Sequence, residues 1–412
     1  MKWHRILAAG LAMALLAGCT GGGVKPLTPD SGSAPAAGIP SDTADRALGD
    51  FGGRLLFQVR GAGENALVSP LSVLLCLSMC ANGAQGETLQ EFLDILGGGV
   101  DLDTLNASCA SLLEDYLSLE GSTECNIAGS LWVDDRLSAN ADFLSRCTEY
   151  YRAGIYQADL DTQRTVDQVN AWVKEQTHGM IDGILDEPLT PDAVLLLANA
   201  LYLKNTWANE FEAEDTGEQP FYTTSGEEIQ TEFLHNGTRS ERYICTETER
   251  GVILPYDDGR LAFVALVPQD GDLSGYLAGW SGDTLPQVLS AAEDTLLTLS
   301  LPKFEAEWSG SLVEPLKALG LELPFDEERA QFGGVGLADG PLHISDALHK
   351  TRIEVNENGT EAAAVAAMIF APTADMPFTT EPEVLILDRP FVYGIVDLER
   401  GIPLFLGTFE TP

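Results

Sequence analysis

The sequence predicts a mixed α+β fold, in which a helical N-terminal half packs on large, mostly antiparallel β-sheets. Apolar residues at helical spacing dominate the first half of the chain, and strand patterns dominate the second half. No internal repeat and no second linker interrupt this order. With 412 residues, of which 45% are hydrophobic, the chain can bury a large core. We therefore expect one continuous domain over residues 45–412.

Three helices are predicted in the first half. Ser69 followed by Pro70 is a good N-cap and first-turn pair, and the helix that it opens extends to about Ala81. Apolar residues at helical spacing predict two further helices, from about Thr88 to Leu96 and from about Val166 to Gln176.

The second half contains strand patterns. Residues 193–203 (AVLLLANALYL) form a near-continuous apolar run, which is typical of a strand buried on both faces. Alternation of apolar and polar residues predicts further strands in residues 296–301, 384–387, 391–396 and 404–408.

Residues 1–18 have the features of an export signal. Lys2, His4 and Arg5 form a basic start, and residues 6–17 are an apolar run too short for a confident membrane span. The run ends in Leu-Ala-Gly-Cys at residues 16–19, which resembles the lipobox of bacterial lipoproteins. That resemblance implies cleavage before Cys19 and lipidation of Cys19; the alternative is an ordinary signal peptide.

Residues 19–44 are predicted to be the lipidated cysteine and a flexible linker, because Gly, Ser, Ala, Pro and Thr dominate residues 20–40. We expect the protein to be exported. It is then either lipid-anchored to the outer face of a bacterial cell membrane, with the anchor as its only membrane contact, or secreted.

The other cysteines show no metal-binding pattern. Their spacing matches no zinc site, and no Cys-x-x-Cys pair occurs. Cys76 and Cys80 lie four residues apart in an apolar helical segment, where we expect buried free thiols. Disulfide formation stays open for the six cysteines of the folded body, which are Cys76, Cys80, Cys109, Cys125, Cys147 and Cys245.

Charge and motifs exclude several classes of function. The 63 Asp and Glu residues outnumber 23 Lys and Arg residues, and a formal net charge of -40 repels nucleic acid. The sequence has no Gly-x-Ser-x-Gly elbow, no His-Glu-x-x-His motif and no P-loop, and no two of its five histidines have metal-ligand spacing. We therefore predict neither catalytic residues, nor a cofactor, nor a metal, so the protein is not expected to be an enzyme.

Six segments carry a resemblance to a known family. In chain order they are residues 65–96, 169–185 (VNAWVKEQTHGMIDGIL), 195–211 (LLLANALYLKNTWANEF), 301–304 (LPKF), 349–364 (HKTRIEVNENGTEAAA) and 389–409 (RPFVYGIVDLERGIPLFLGTF). They resemble the serpins, and the resemblance covers essentially all of residues 45–410. It implies a serpin fold with an exposed reactive-centre loop at about residues 357–382.

The start of this loop is similar to the hinge of inhibitory serpins. In a strand, Thr360, Ala362, Ala364 and Ala366 share one face, and all four side chains are small enough to slip between two strands of a sheet. Gly359 gives the backbone freedom to turn in. The alternative is a plain Ala-rich loop or short helix. The hinge residues are Glu357, Gly359, Thr360, Glu361, Ala362, Ala363, Ala364 and Ala366.

The resemblance implies a conformational trap. The serine of a target protease attacks the loop and forms a covalent acyl-enzyme. The freed hinge then inserts as a new strand and distorts the protease before water can release it. We expect the inhibitor to be a monomer whose partner is a serine protease.

By the same resemblance, a second group of residues controls sheet opening. Ser69, Ser72, Asn199 and His349 match the family's shutter, a polar cluster beneath the sheet. Trp207 matches the breach, where insertion begins, and Lys303 with Glu357 matches an ion pair that holds the top of the loop. The alternative for that pair is two solvated charges worth about 0–1 kcal/mol.

Two counts place the scissile bond differently. Sixteen residues on from Glu357, the family's usual interval, gives the bond Thr373-Ala374, whereas counting back from Pro390 gives a bond near Thr379. We favour Thr373-Ala374, because a shift of six residues at about 3.3 Å each would displace the protease by roughly 20 Å.

The loop sequence also predicts specificity. Thr373 suits a shallow apolar pocket like that of elastases, and Phe370 or Met376 offers a chymotrypsin-like alternative. No Lys or Arg occurs between residues 358 and 388, which argues against trypsin-like targets. Two other functions stay open: a non-inhibitory binding or adhesion lipoprotein, and an inhibitor of papain-like cysteine proteases.

Two features depart from the family pattern. Asn358 occupies a position where an acidic residue is common. Residues 248–253 (TERGVI) are unusually polar where they precede Leu254, Pro255 and Tyr256.

Overall fold

The structure, a computed structural model, describes residues 25–26, 41–191, 193–360 and 381–412. Over these residues the chain forms nine α-helices and one 3₁₀ helix, Leu323–Phe325. The α-helices are α1 Asp42–Val59, α2 Pro70–Ala81, α3 Gly86–Gly97, α4 Leu102–Leu117, α5 Ala141–Tyr151, α6 Gln163–Gln176, α7 Leu273–Ala278, α8 Thr284–Ala291 and α9 Val313–Ala318.

The same residues form eighteen strands. These are β1 Lys25–Pro26, β2 Ala66–Val68, β3 Glu124–Val133, β4 Ser138–Ala139, β5 Gly154–Gln157, β6 Leu195–Thr206, β7 Gly217–Tyr222, β8 Glu228–Cys245, β9 Glu249–Pro255, β10 Leu261–Pro268, β11 Glu293–Pro302, β12 Phe304–Ser311, β13 Gly336–Leu337, β14 Leu348–Val355, β15 Gly359–Thr360, β16 Glu383–Ile386, β17 Phe391–Asp397 and β18 Ile402–Phe409.

Two large sheets organise the described residues. The first has seven strands in the order β1-β5-β3-β6-β15-β14-β12. The second has nine, in the order β16-β11-β8-β9-β10-β17-β18-β2, with β7 paired to β8. Only the β3–β5 pair of the first sheet and the β11–β16 pair of the second are parallel. The predicted α+β class with mostly antiparallel sheets is confirmed.

Helix α2 connects the two sheets. Its N-cap is Ser69, whose hydroxyl accepts a hydrogen bond from the backbone N–H of Ser72, and Pro70 occupies the first helical position. Nearly every residue of α2 is buried, because the helix packs against both β6 and β18. The predicted start and end of this helix are confirmed.

Other predicted elements agree with the structure to within a few residues. The helices expected at 88–96 and 166–176 are α3 and α6, and the strands expected in the last third of the chain are β11, β16, β17 and β18.

The prediction for residues 193–203 is partly wrong. Strand β6 is not buried on both faces along its whole length, since Leu195, Leu196 and Leu197 are only half-buried. Leu195 to Asn199 border a cavity, which explains this exposure.

The cysteines of the described residues are free. Cys80 is buried as expected, but Cys76 is only half-buried because it borders the same cavity as β6. Although Cys76 is partly exposed to the cavity, protein atoms surround its sulfur, and this burial raises the pKa of the thiol to about 12, so the thiol is a poor nucleophile at neutral pH.

Candidate functional site

The predicted site residues fall into two groups. Nine lie within the described residues: Ser69, Ser72, Asn199, Trp207, Lys303, His349, Glu357, Gly359 and Thr360. The others lie outside them: Cys19, the hinge residues Glu361, Ala362, Ala363, Ala364 and Ala366, and the candidate cleavage residues Phe370, Thr373, Ala374, Met376 and Thr379.

Two residues of the predicted hinge, Gly359 and Thr360, form strand β15 inside the seven-stranded sheet. Thr360 pairs with Val355 of β14 on one side and with Asn205 of β6 on the other, and Gly359 pairs with Thr206. Within the described residues, β6 and β14 share no ladder with each other. The chain that leads into the predicted reactive-centre loop therefore enters the sheet between these two strands.

Gly359 fits this position because it has no side chain. A Cβ atom there would lie 2.0 Å from the carbonyl oxygen of Asn205, a contact that no larger residue could make without moving β6. Glycine thus permits the close approach of β15 to β6.

Asn356 builds the turn that leads from β14 into β15. Its side-chain oxygen accepts hydrogen bonds from the backbone N–H groups of Asn358, at 3.0 Å, and Gly359, at 3.3 Å. This Asx-type turn reverses the chain over three residues. Asn356 was not predicted as a site residue, although an Asn two residues before Asn-Gly is a recognisable turn signal.

Trp207 holds this turn against β6. Its indole N–H donates to the carbonyl of Asn356 at 2.9 Å, and its backbone N–H donates to the carbonyl of Asn358 at 2.9 Å. The ring of Trp207 stacks on Tyr256 with centroids 4.9 Å apart. The predicted breach residue therefore contacts the turn directly.

Tyr256 links the same ring stack to the hinge, because its hydroxyl hydrogen-bonds to that of Thr360. Both side chains are buried, and burial raises the pKa of the tyrosine far above its usual value. Tyr256 was not predicted as a site residue, since its contact with Thr360 joins positions 104 residues apart in the sequence.

Lys303 and Glu357 form the predicted ion pair, with 3.0 Å between Nζ and Oε1. Thr216 also donates to this carboxylate, at 2.9 Å. Burial alone raises the pKa of Glu357, but hydrogen bonds from its own backbone N–H, Lys303 and Thr216 outweigh burial, so the pKa is lowered. Glu357 is half-buried, so its pairing is stronger than that of two solvated charges.

The four predicted shutter residues lie together beneath the sheet. The Ser69 backbone N–H donates to Nε2 of His349 at 3.1 Å, and the Ser69 hydroxyl donates to the carbonyl of Leu404 at 2.9 Å. The Ser72 hydroxyl donates to Oδ1 of Asn199 at 2.7 Å. One network thereby joins α2 to strands of both large sheets.

His349 is neutral in this network. Its side chain is buried, and burial lowers the pKa of the imidazole to about 4. Since Nε2 accepts from Ser69, the ring proton lies on Nδ1.

A cavity of about 370 Å³ lies beside the shutter. Its walls are the Leu195–Asn199 part of β6 and the Leu348–Lys350 part of β14, and α2 contributes Ser72 and Cys76. It borders the same two strands, β6 and β14, between which β15 pairs.

Other kinds of site find no support in the part of the chain described here. In these residues no group of three or more His, Cys, Asp or Glu side chains could hold a metal ion. None of the helices in the same ranges is long and apolar enough to cross a membrane.

Comparison with known proteins adds a family model and two relatives, one of which has two solved structures. The family model described as Serpin (serine protease inhibitor) matches residues 46–412. Serpin-ZXA of Oryza sativa subsp. japonica is 32% identical over 371 residues, which cover 85% of this chain and 91% of the rice protein.

Two of the solved structures that match are of the thermophilic serpin tengpin, in its native and its latent state. The native structure superposes with a TM-score of 0.82 at 31% identity and covers 92% of this chain and 96% of tengpin. The latent structure gives a TM-score of 0.78 at 31% identity and covers 90% and 98% of the two chains.

Proposed function

The chain belongs to the serpin family, and we propose that it inhibits serine proteases as a suicide substrate, by conformational trapping. The observation that carries this proposal is the position of β15. Gly359 and Thr360 pair with both β6 and β14, and a cavity borders the same two strands. A strand that continued from Thr360 would extend the sheet between β6 and β14.

In the proposed mechanism, the protease supplies the covalent chemistry. The Oγ atom of its catalytic serine attacks the carbonyl carbon of Thr373, the peptide bond to Ala374 breaks, and the new amine of Ala374 leaves with a proton from the catalytic histidine. The product is an acyl-enzyme ester on Thr373. Insertion of residues 361–372 after Thr360 then carries the protease along the sheet before water can hydrolyse the ester.

We propose that the target is an elastase-like protease or another serine protease that accepts small or apolar residues. Thr373 is small and β-branched, and the loop has no Lys or Arg between residues 358 and 388. Inhibition of a papain-like cysteine protease is the second candidate, and a non-inhibitory binding protein is the third. The Ala-rich hinge argues against the third, because bulky or charged hinge residues are typical of non-inhibitory members.

From the sequence, we propose that the protein is a lipoprotein that is exported and anchored to the outer face of a bacterial membrane. Metabolic labelling with palmitate is expected to label the full chain, and Cys19→Ser is expected to abolish the label. Label that persists in Cys19→Ser would contradict lipidation at this residue.

Incubation of the purified full chain with elastase, chymotrypsin and trypsin tests the function. We expect an SDS-stable complex with elastase, release of a peptide that begins at Ala374, and no complex with trypsin. Cleavage without a complex for every serine protease would contradict trapping, and a stable adduct with papain alone would favour the cysteine-protease alternative.

Thr360→Arg tests insertion. Because Thr360 is already buried between β6 and β14, an arginine there would place an unpaired charge in the sheet at the point from which insertion proceeds. We expect the number of inhibitor molecules consumed per trapped protease to rise at least tenfold, with cleaved inhibitor as the main product.

The matched control is Asn358→Arg, since Asn358 is exposed in the adjacent turn. This variant is expected to trap protease as the wild type does. If Thr360→Arg still forms complexes in full yield, insertion at this position is not part of the mechanism.

A further inference from the structure

Strand β16 carries two exposed apolar side chains at the edge of the nine-stranded sheet. Val384 is 48% exposed and Ile386 43% exposed, whereas Leu385 between them is buried. Within the described part of the chain, β16 pairs only with β11. Edge strands usually carry charged or polar residues that prevent association. Val384 and Ile386, two residues apart on this edge strand, therefore form a small exposed apolar surface.

We propose that Val384 and Ile386, together called the β16 patch, are a docking surface for the body of the target protease. This inference rests on the proposed function, because the protease is the occupant to which it commits. The patch would add contacts outside the cleavage site and increase the rate at which the protease engages the loop.

Neighbouring groups hold the patch in place. The Arg250 guanidinium donates to the carbonyl of Val384 at 2.6 Å and to the hydroxyl of Tyr243 at 2.7 Å. The Leu387 backbone N–H donates to the carbonyl of Ser300 at 2.9 Å, next to the parallel ladder between β16 and β11. A surface fixed before binding loses less conformational entropy when a partner docks.

The hydrogen bond from Arg250 to the carbonyl of Val384 gives a role to one of the polar residues at 248–253, the segment that departs from the family pattern. Glu249 is buried and accepts a hydrogen bond from the Thr246 hydroxyl at 2.7 Å, which holds the turn before β9. Arg250, the next residue, reaches β16. Arg250 of this polar segment therefore supports the strand on which the patch lies.

The length of the loop places a bound protease beside β16. From Ala374 to Glu383 the chain has ten residues, which span at most about 33 Å at about 3.3 Å each. A protease of about 230 residues has a radius of gyration of about 17 Å, which for a sphere corresponds to a diameter of about 44 Å. The body of the protease is therefore wider than the maximum length of this tether. A protease bound at Thr373-Ala374 can therefore reach β16.

Charge near the patch favours the same partner. Glu381 and Glu383 are exposed beside Val384, and the whole chain has a formal net charge of -40. An apolar centre with a charged rim is the usual composition of a protein–protein contact. The surface thus fits a protease that carries cationic groups and an apolar side chain next to the part of its active site that binds the residues after the cleaved bond.

The test is the double variant Val384→Ser/Ile386→Ser in the full chain, with the elastase that forms the covalent complex. We expect the second-order rate constant of association to fall about tenfold. The yield of complex per inhibitor and the thermal midpoint are expected to stay unchanged, because neither side chain is buried. Val384→Ser alone is expected to lower the rate about threefold, which provides a milder variant if the double variant folds poorly.

Leu337→Ser is the matched control, since Leu337 is 79% exposed in the small β4–β13 sheet, outside the nine-stranded sheet that contains β16. It is expected to leave the rate unchanged. An unchanged rate in the double variant, with covalent complex still formed, would overturn the docking surface and leave the proposed function intact.

A second copy of this chain is the competing occupant of the patch. Size-exclusion chromatography distinguishes it: a wild-type dimer that the double variant converts to a monomer, with no change in association rate, would overturn the proposal. If no protease forms a complex with the wild type, the proposed function fails, and the docking surface fails with it.

Discussion

At the scale of single residues, the polar network beneath the sheet depends on one neutral imidazole. His349 accepts a hydrogen bond from the Ser69 backbone N–H through Nε2, and its pKa is lowered to about 4 by burial. Protonation of Nε2 would remove this acceptor and place a charge in a buried site. The network is therefore stable only while His349 is neutral.

This gives a prediction for pH. In the unfolded chain a histidine has a pKa near 6.5, so between pH 6.5 and pH 4 the unfolded state binds more protons than the folded state. The contribution of His349 to stability is thus complete above pH 6.5 and is lost as the pH falls toward 4. We expect the free energy of unfolding of the wild type, relative to that of His349→Gln, to fall by about 2 kcal/mol between pH 7.5 and pH 5. Denaturant unfolding of both proteins at each pH measures this difference.

The stability of the wild type must be compared with that of His349→Gln at each pH, because Asp45 changes stability with pH in the opposite direction. Burial raises the pKa of Asp45 to about 6, and Arg400, at 3.5 Å, only partly offsets the effect of burial. Its contribution is therefore complete below the unfolded pKa and is lost as the pH rises through 6. Asp45→Asn removes this opposing dependence. If the stability difference between wild type and His349→Gln is the same at both pH values, the assigned protonation of His349 is wrong.

At the scale of secondary-structure elements, local signals predicted some boundaries accurately. Ser69 and Pro70 mark the start of α2, because an N-cap and a first-turn proline act within one helical turn. The apolar run of β6 was equally clear, although its neighbour across the sheet could not be deduced. Local propensity therefore gave the existence of these elements but not the cavity that borders β6 and β14.

The candidate site divides in the same way. The Ala-rich hinge and the shutter residues were predicted because the segments that contain them resemble serpin motifs. The contacts of Tyr256 with Thr360 and of Arg250 with Val384 were not predicted, since these pairs lie 104 and 134 residues apart in the chain. Such contacts follow from the packing of two sheets, and no periodicity in one segment contains that information.

Strand β16 provides a prediction at this scale. It follows the proposed reactive-centre loop in the chain and is held by a ladder of four residue pairs to β11 and the hydrogen bond from Arg250. If β16 separates from β11, more chain becomes available for an uncleaved loop to enter the sheet. We expect Arg250→Gln to lose inhibitory activity at least three times faster than the wild type during incubation at 37 °C, without cleavage.

Activity assays with intact-mass analysis measure this loss. Arg242→Gln is the matched control, because Arg242 donates to the carbonyl of Leu289 and not to β16. Equal rates for Arg250→Gln and wild type would show that the Val384 contact does not hold the strand.

At the scale of the whole molecule, the proposed trap uses a long path through the sheet. Gly359 and Thr360 of the predicted hinge lie between β6 and β14, and the cavity that borders these strands also borders the shutter. The proposed inhibitor must therefore be kinetically trapped before cleavage, since insertion would release free energy by completing the sheet. The ion pair of Lys303 with Glu357 and the ring stack of Trp207 on Tyr256 hold the point where this path begins.

Net charge is a property of the same scale, and it predicts which proteases associate fastest. A formal net charge of -40 creates a field that attracts cationic proteins and repels anionic ones over about a Debye length, which shrinks from roughly 20 Å in 0.02 M salt to about 4–5 Å in 0.5 M salt. For a cationic elastase, we expect the association rate constant to fall about tenfold or more between these salt concentrations. For an anionic protease of the same specificity, the rate should stay constant or rise, because screening then removes repulsion.

Stopped-flow measurements with a fluorogenic substrate give both rates, and the stoichiometry of inhibition should not change with salt, since insertion follows cleavage. The same salt dependence for both proteases would mean that salt acts on the loop or on the chemistry rather than on diffusional encounter, and the charge would then have no part in target selection.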